Sequence, residues 1–160
     1  MIYDDIAMNN GVIFQHAYDI LSQRMEDGVR SIEPRQGGIS NSAILDTSLA
    51  VPVIVNGSFA CELYLKALLP KGTRGHELND LFNKLDARVQ ENIRCKTIEK
   101  MKDTISDYND TTFQSDINNN CNHFAKWRYF HEGISSPANL KFIKYFMAAI
   151  LDVIQEERQH

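Results

Sequence analysis

Apolar side chains recur every three or four positions along most of the chain, which is the spacing of an amphipathic helix. Gly28 is expected to end a first helix, whose early part is weakened by Gly11. The apolar series that marks this helix is Ile6, Ile13, Ala17, Ile20, Leu21 and Met25. Residues 29–50 show no clear periodicity and contain a proline, two glycines and several serines. We expect them to form a long loop, or a loop that contains a short helix.

The most apolar predicted helix runs from about Pro52 to Leu69. Pro52 suits a first helical turn, and Pro70 would end the helix. Ser58, Glu62 and Lys66 recur every four residues and so form one narrow polar stripe. Because the rest of this helix is apolar on nearly every side, we expect it at the centre of a bundle.

The second half of the chain continues with helical spacing. Two successive helices are marked by Leu78, Leu81, Phe82 and Leu85, and then by Val89, Ile93, Ile98, Met101 and Ile105. After a break over Asp107–Thr112, a further helix that ends near Gly133 is marked by Ile117, Cys121, Phe124 and Trp127. Pro137 opens the last helix, marked by Leu140, Ile143, Met147, Ile150, Leu151 and Ile154. No segment alternates with a period of two. The pattern predicts an all-α, up-down bundle of five to six helices.

Composition limits the class of protein. The 160 residues predict a single domain over positions 1–160, with 43% hydrophobic and 24% charged residues. The net charge of −4 argues against a nonspecific coat for nucleic acid. Three widely spaced cysteines do not make a disulfide framework, which suggests a reducing compartment. The first residues resemble no signal peptide, and no apolar stretch could span a bilayer. We therefore expect a cytoplasmic protein that does not enter a membrane.

Metal, cofactor and nucleophile patterns are missing from the sequence. It contains no C-x-x-C, H-E-x-x-H, EF-hand or phosphate-loop motif, so no metal and no cofactor is expected. Cys121 and His123 are two positions apart and would point to different helix faces. Cys61 and Cys121 lie on apolar faces, where a small buried side chain is the simpler interpretation.

The most informative segment is Phe124–Gly133. Alternating steps of four and three continue the stripe of Ile117, Cys121 and Phe124 to Arg128 and His131. A buried guanidinium keeps its charge and needs a partner. Glu62 is the best candidate, because it lies on the polar stripe of the central helix. Asp116 and Glu132 are weaker candidates.

Two interpretations of this stripe remain open. In the first, Arg128 and Glu62 form an internal ion pair that sets the register of two helices. In the second, Arg128 and His131 meet in a cleft and cleave RNA without metal. There the imidazole would transfer protons and the guanidinium would stabilise the phosphate.

The other polar and aromatic candidates have simpler interpretations. His76 is expected to anchor the turn before the helix that starts near Leu78. Lys66 is interpreted as a solvated stripe residue or a partner of Glu62. The aromatic residues Trp127, Tyr129 and Phe130 are expected in the core or an interface rather than stacked on bases.

Three segments in this order resemble the HEPN-domain superfamily: Phe59–Leu69, Gly75–Phe82 and Trp127–Glu132. The resemblance implies a bundle of about four to five helices that often forms a homodimer. It also implies a role near RNA, as in ribonuclease toxins, phage-defence components or noncatalytic partners of nucleotidyltransferases. A polar core or binding site would then include Glu62, Lys66, His76, Tyr129 and Glu132.

One departure from the family pattern bears on catalysis. Ribonuclease members carry an arginine, then about four to six residues, then a histidine, whereas only two residues separate Arg128 from His131. We therefore expect a noncatalytic module of a prokaryotic defence or toxin–antitoxin system. Its expected partners are a second copy and RNA, a nucleotide or a cognate protein. The alternative is a metal-independent endoribonuclease that uses Arg128 and His131.

Overall fold

The computed structural model describes residues 4–32, 48–120 and 139–159. Six helices lie in these ranges: α1 (Asp5–Ile32), α2 (Ala50–Ala67), α3 (Leu78–Asn83), α4 (Ala87–Lys102), α5 (Asp110–Asn120) and α6 (Leu140–Arg158). These ranges contain no strand, so the prediction of an all-α helical bundle is confirmed. None of the described helices is both long and apolar enough to cross a bilayer.

Helix α1 is longer than the sequence pattern predicted. Gly28 does not end it, and the helix continues to Ile32. One glycine costs a helix only about 1 kcal/mol, which neighbouring interactions can offset. Arg30 contacts Glu26 at 3.5 Å and Asp27 at 3.7 Å, and its charge is favourable in a last helical turn. The expected loop over 29–50 was therefore wrong at its start, and residues 33–47 lie outside the described ranges.

Helix α2 lies at the centre of the described bundle, as predicted. It begins at Ala50, so Pro52 lies in the first turn, where a missing N–H leaves no intrahelical bond unmade. Helices α1, α3 and α6 all pack against it, and α4 packs against α6. Helices α1 and α6 make no extensive contact with each other, which leaves a cleft between them.

Two glycines let helices approach α2 closely. A Cβ on Gly11 of α1 would lie 2.6 Å from the ring of Tyr64. A Cβ on Gly57 of α2 would lie 2.7 Å from Ile143 and 2.8 Å from Tyr18. Gly11 therefore weakens α1 in isolation but permits the contact that holds it on α2.

Aromatic side chains fill the core between α3, α5 and α6. Phe142 and Phe146 stack at 5.1 Å, and Phe113 and Phe82 pack against this pair with ring centroids 5.9–6.1 Å away and lie 5.7 Å from each other. All four rings are buried.

The predicted break over Asp107–Thr112 is shorter than expected. Helix α5 already begins at Asp110, because the Asn109 side chain accepts the backbone N–H of Thr111 at 2.9 Å. The described part of α5 ends at Asn120. The predicted continuation to Gly133, and Pro137, lie in residues 121–138, outside the described ranges.

Candidate functional site

Glu62 is the centre of a buried polar cluster. It lies on the central helix and is 1% exposed. Its Oε1 accepts a hydrogen bond from Lys66 Nζ at 2.8 Å, one turn along α2. His76 Nδ1 lies 2.9 Å from the same oxygen. The structure thus brings together three of the residues that the sequence singled out, and an ammonium group and an imidazole face one buried carboxylate.

The loop after α2 positions His76. It turns back at Pro70, whose carbonyl accepts the backbone N–H of Thr73 at 3.1 Å. Gly75 has a φ of 120°, which residues with a side chain rarely adopt, so the chain can reverse directly before His76. The imidazole is 69% exposed while its Nδ1 reaches the buried carboxylate. The ring therefore connects the cluster to the surface.

The polar stripe of α2 turns inward. Ser58 and Glu62 are both 1% exposed and lie one turn apart on the same face. Within the described ranges, Ser58 Oγ and Glu62 Oε2 are buried and have no hydrogen-bond partner. Buried polar atoms are nearly always paired. The two oxygen atoms on this face could therefore accept a hydrogen bond from a further donor.

Arg128 was the donor expected at Glu62. Arg128, Tyr129, His131 and Glu132 all lie in residues 121–138, outside the described ranges. The pairing of Arg128 with Glu62 therefore stays a prediction, and the second oxygen of Glu62 is the atom that it would use.

Asp116 was a weaker candidate partner for Arg128, and its carboxylate is already engaged. The Tyr108 hydroxyl donates to Asp116 Oδ2 at 2.8 Å, and Asn139 Nδ2 donates to the same oxygen at 3.0 Å. Burial, with the nearby Asp116 carboxylate, raises the pKa of Tyr108. The backbone N–H of Asn139 also donates to Asn120 Oδ1 at 3.2 Å. The residues on either side of positions 121–138 are thus joined directly.

Metal binding and cysteine chemistry have little support in the described part of the chain. It contains no group of three His, Cys, Asp or Glu side chains that could hold a metal ion. Cys61 is fully buried, and burial raises the pKa of its thiol. The exposed Cys95 donates to Glu91 Oε1 at 3.2 Å, which also raises its pKa. Neither thiol is activated as a nucleophile.

The outward face of α1 was not foreseen. Ile6, Ile13 and Ile20 were grouped with the apolar series of the first helix, yet they are 63%, 64% and 54% exposed. Helical geometry places these three within about 40° of one another, roughly opposite the buried Tyr18. The sequence contained the signal, because the three isoleucines are spaced seven residues apart. We call Ile6, Asn9, Ile13, His16 and Ile20 the outer face of α1.

The Glu62 cluster leads to a prediction about Lys66 and His76. The double variant Lys66→Met/His76→Ala should lose about 0.5–3 kcal/mol more unfolding free energy than the two single variants together. With either Lys66 or His76 left, Glu62 Oε1 keeps a partner, whereas the double variant removes both partners. Urea unfolding measures the three values, with Lys71→Met as an exposed lysine control. Strict additivity would contradict the shared contact.

No protein-family model, no curated protein and no solved structure matches this chain. The resemblance to HEPN domains therefore rests on the sequence segments alone, and the function has to be argued from the residues themselves.

Proposed function

We propose that this chain is a noncatalytic, HEPN-like helical module of a prokaryotic defence or toxin–antitoxin system, and that it acts in the cytoplasm. In this proposal it works by binding a protein through the outer face of α1, and the partner there is a second copy of the chain. The observation that carries the proposal is the exposure of three isoleucines at heptad spacing on a helix whose opposite face already packs on α2.

The outer face suits a second copy because its spacing is the same from either end. Ile6 and Ile20 each lie seven positions from Ile13. Two antiparallel α1 helices that cross at Ile13 would therefore bring Ile6 of one copy near Ile20 of the other. The three isoleucines extend over about 21 Å of helix, which is enough for two helices to be in contact along several turns. An antiparallel arrangement also keeps the acidic first turns, which begin at Asp5, apart.

Charge favours a protein over RNA at this surface. Between Ile6 and Ile20 the chain has no lysine and no arginine, and the whole chain carries a net charge of −4. Binding to a nucleic-acid backbone depends on neutralising phosphates with such residues. The outer face instead offers apolar side chains with an asparagine and a histidine, as protein interfaces do.

The Glu62 cluster supports a module without catalysis. Lys66 Nζ and His76 Nδ1 both face Glu62 Oε1, so this carboxylate oxygen is already engaged by contacts within the fold. The alternative is an endoribonuclease built on Arg128 and His131, which lie outside the described ranges. Its test is incubation of purified protein with RNA in EDTA. Cleavage that His131→Ala abolishes would overturn the noncatalytic proposal.

The proposed dimer has a direct test with a matched control. Wild-type protein should sediment as a dimer in analytical ultracentrifugation, and Ile13→Asp should sediment as a monomer. At the crossing point, that change places two carboxylates against each other. Val29→Asp should stay dimeric, because Val29 is also about half exposed on α1 but lies on another side of the helix.

Circular dichroism shows whether Ile13→Asp still folds, because the exposed position of Ile13 should let the variant keep wild-type helicity. A monomeric wild type, or an Ile13→Asp variant that remains dimeric, would rule out the outer face as the contact between copies.

A further inference from the structure

A polar cleft lies between α1 and α6, on a different side of α1 from the outer face. Both helices pack on α2 but not extensively on each other. The cleft has a volume of about 430 Å³, within the range of about 300–1,000 Å³ that is usual for small-molecule sites. Its lining includes apolar groups from all three helices: Met25, Val53 and Leu140.

The two walls of the cleft carry opposite charges. Asp19 and Glu26 come from α1, whereas Lys141 and Lys144 come from α6. Asp19 and Lys144 interact electrostatically, yet no salt bridge joins Asp19 to any described residue. Burial raises the pKa of Asp19, and the charges of His16 and Lys144 act in the opposite direction. The carboxylate is therefore partly desolvated, and a cationic group beside it would be stabilising.

A hydroxyl group in the lining also has unused hydrogen-bonding capacity. Ser22 Oγ is buried and makes no hydrogen bond of good geometry in the described part of the chain. It lies near the phenol of Tyr18, whose pKa burial raises to about 12. Tyr18 is therefore a neutral phenol at physiological pH, and its ring adds apolar surface to the cleft.

We propose that the α1–α6 cleft binds a small zwitterion with an apolar body, of the amino-acid class. The ammonium group of the ligand pairs with Asp19, its carboxylate pairs with Lys144, and its apolar part lies on Val53 and Leu140.

Ligands with one kind of charge fit the cleft less well. The lining carries two carboxylates and two ammonium groups, so a simple anion or cation would meet a charge of its own sign on one of the walls. A phosphate beside the lysines would face Asp19 and Glu26 across the cleft. Only a molecule that carries both charges gains a charge-assisted hydrogen bond at each wall.

The test compares three probes of the same shape by ligand-observed NMR and isothermal titration calorimetry. L-phenylalanine carries both charges, phenethylamine only the ammonium group, and 3-phenylpropionate only the carboxylate. Phenylalanine should bind saturably, and each analogue should bind at least about tenfold more weakly, because one charged contact is lost. Equal binding of the three probes, or no saturable binding of phenylalanine, would overturn the proposal.

Variants locate the binding and separate it from folding. Asp19→Asn and Lys144→Gln should each weaken phenylalanine binding at least about tenfold while leaving the melting temperature unchanged, since both side chains are exposed. Asp80→Asn and Lys71→Gln remove exposed charges elsewhere and should bind as wild type does. Binding that survives both cleft variants would mean that phenylalanine binds elsewhere.

Discussion

Replacing Arg128 with alanine is expected to lower the free energy of unfolding by about 3–5 kcal/mol. The physical reason is Glu62, a buried carboxylate whose Oε2 has no hydrogen-bond partner among the described residues. A guanidinium that meets this oxygen compensates its desolvation, and truncation of Arg128 leaves the oxygen uncompensated. Urea unfolding followed by circular dichroism measures the loss. A residue that served catalysis alone would leave stability unchanged.

Two further variants make the Arg128 experiment specific. Lys126→Ala removes a positive charge two residues away, on a different predicted helix face, and should cost less than about 1 kcal/mol. In a Glu62→Gln background, Arg128→Ala should cost much less than in the wild type, because the carboxylate that it pairs with is gone. An Arg128 effect that is the same in both backgrounds would contradict the predicted pair.

Gly57→Ala is expected to destabilise the fold by about 2 kcal/mol, although alanine is the better helix former by about 1 kcal/mol. The added Cβ would lie 2.7 Å from Ile143 Cγ2 and 2.8 Å from Tyr18 Cδ2. Both side chains are buried, so neither can move away without disturbing the core. Thermal and urea unfolding of the variant measure the effect.

A second substitution identifies the clash at Gly57. Ile143→Ala removes the Cγ2 atom that the new methyl group would meet. Because the space it leaves can accept that methyl group, the double variant should be more stable than the sum of the two single effects predicts. If Gly57→Ala raises stability, helix propensity outweighs the close contact and the proposed packing role is wrong.

Helical spacing predicted most helices of this fold, because the packing of those helices agrees with their pattern of apolar residues. Helix α2 is apolar nearly all round, and it is the helix against which α1, α3 and α6 pack. The stripe of Ser58, Glu62 and Lys66 was also visible in the sequence. An inward direction for Glu62 was one of the interpretations left open, because a four-residue repeat says which residues share a face but not what lies opposite them.

The missed features depend on contacts between distant parts of the chain. Gly28 is the exception, because a helix propensity of about 1 kcal/mol is small and the contacts of Arg30 with Glu26 and Asp27 in the same helix can offset it. The exposure of Ile13 followed from the use of the opposite face, with Tyr18, to pack on α2. The cleft between Asp19 and Lys144 joins residues 125 positions apart, and local periodicity contains no information about such a pair.

Helix α1 has apolar residues on two opposite sides, and among the described residues only one of these sides packs into the core. If the other side binds a second copy, folding and assembly are linked by mass action. The melting temperature of the wild type should then rise with protein concentration, whereas that of Ile13→Asp should not. The thermal stability of this protein would thus depend on how much of it a cell makes.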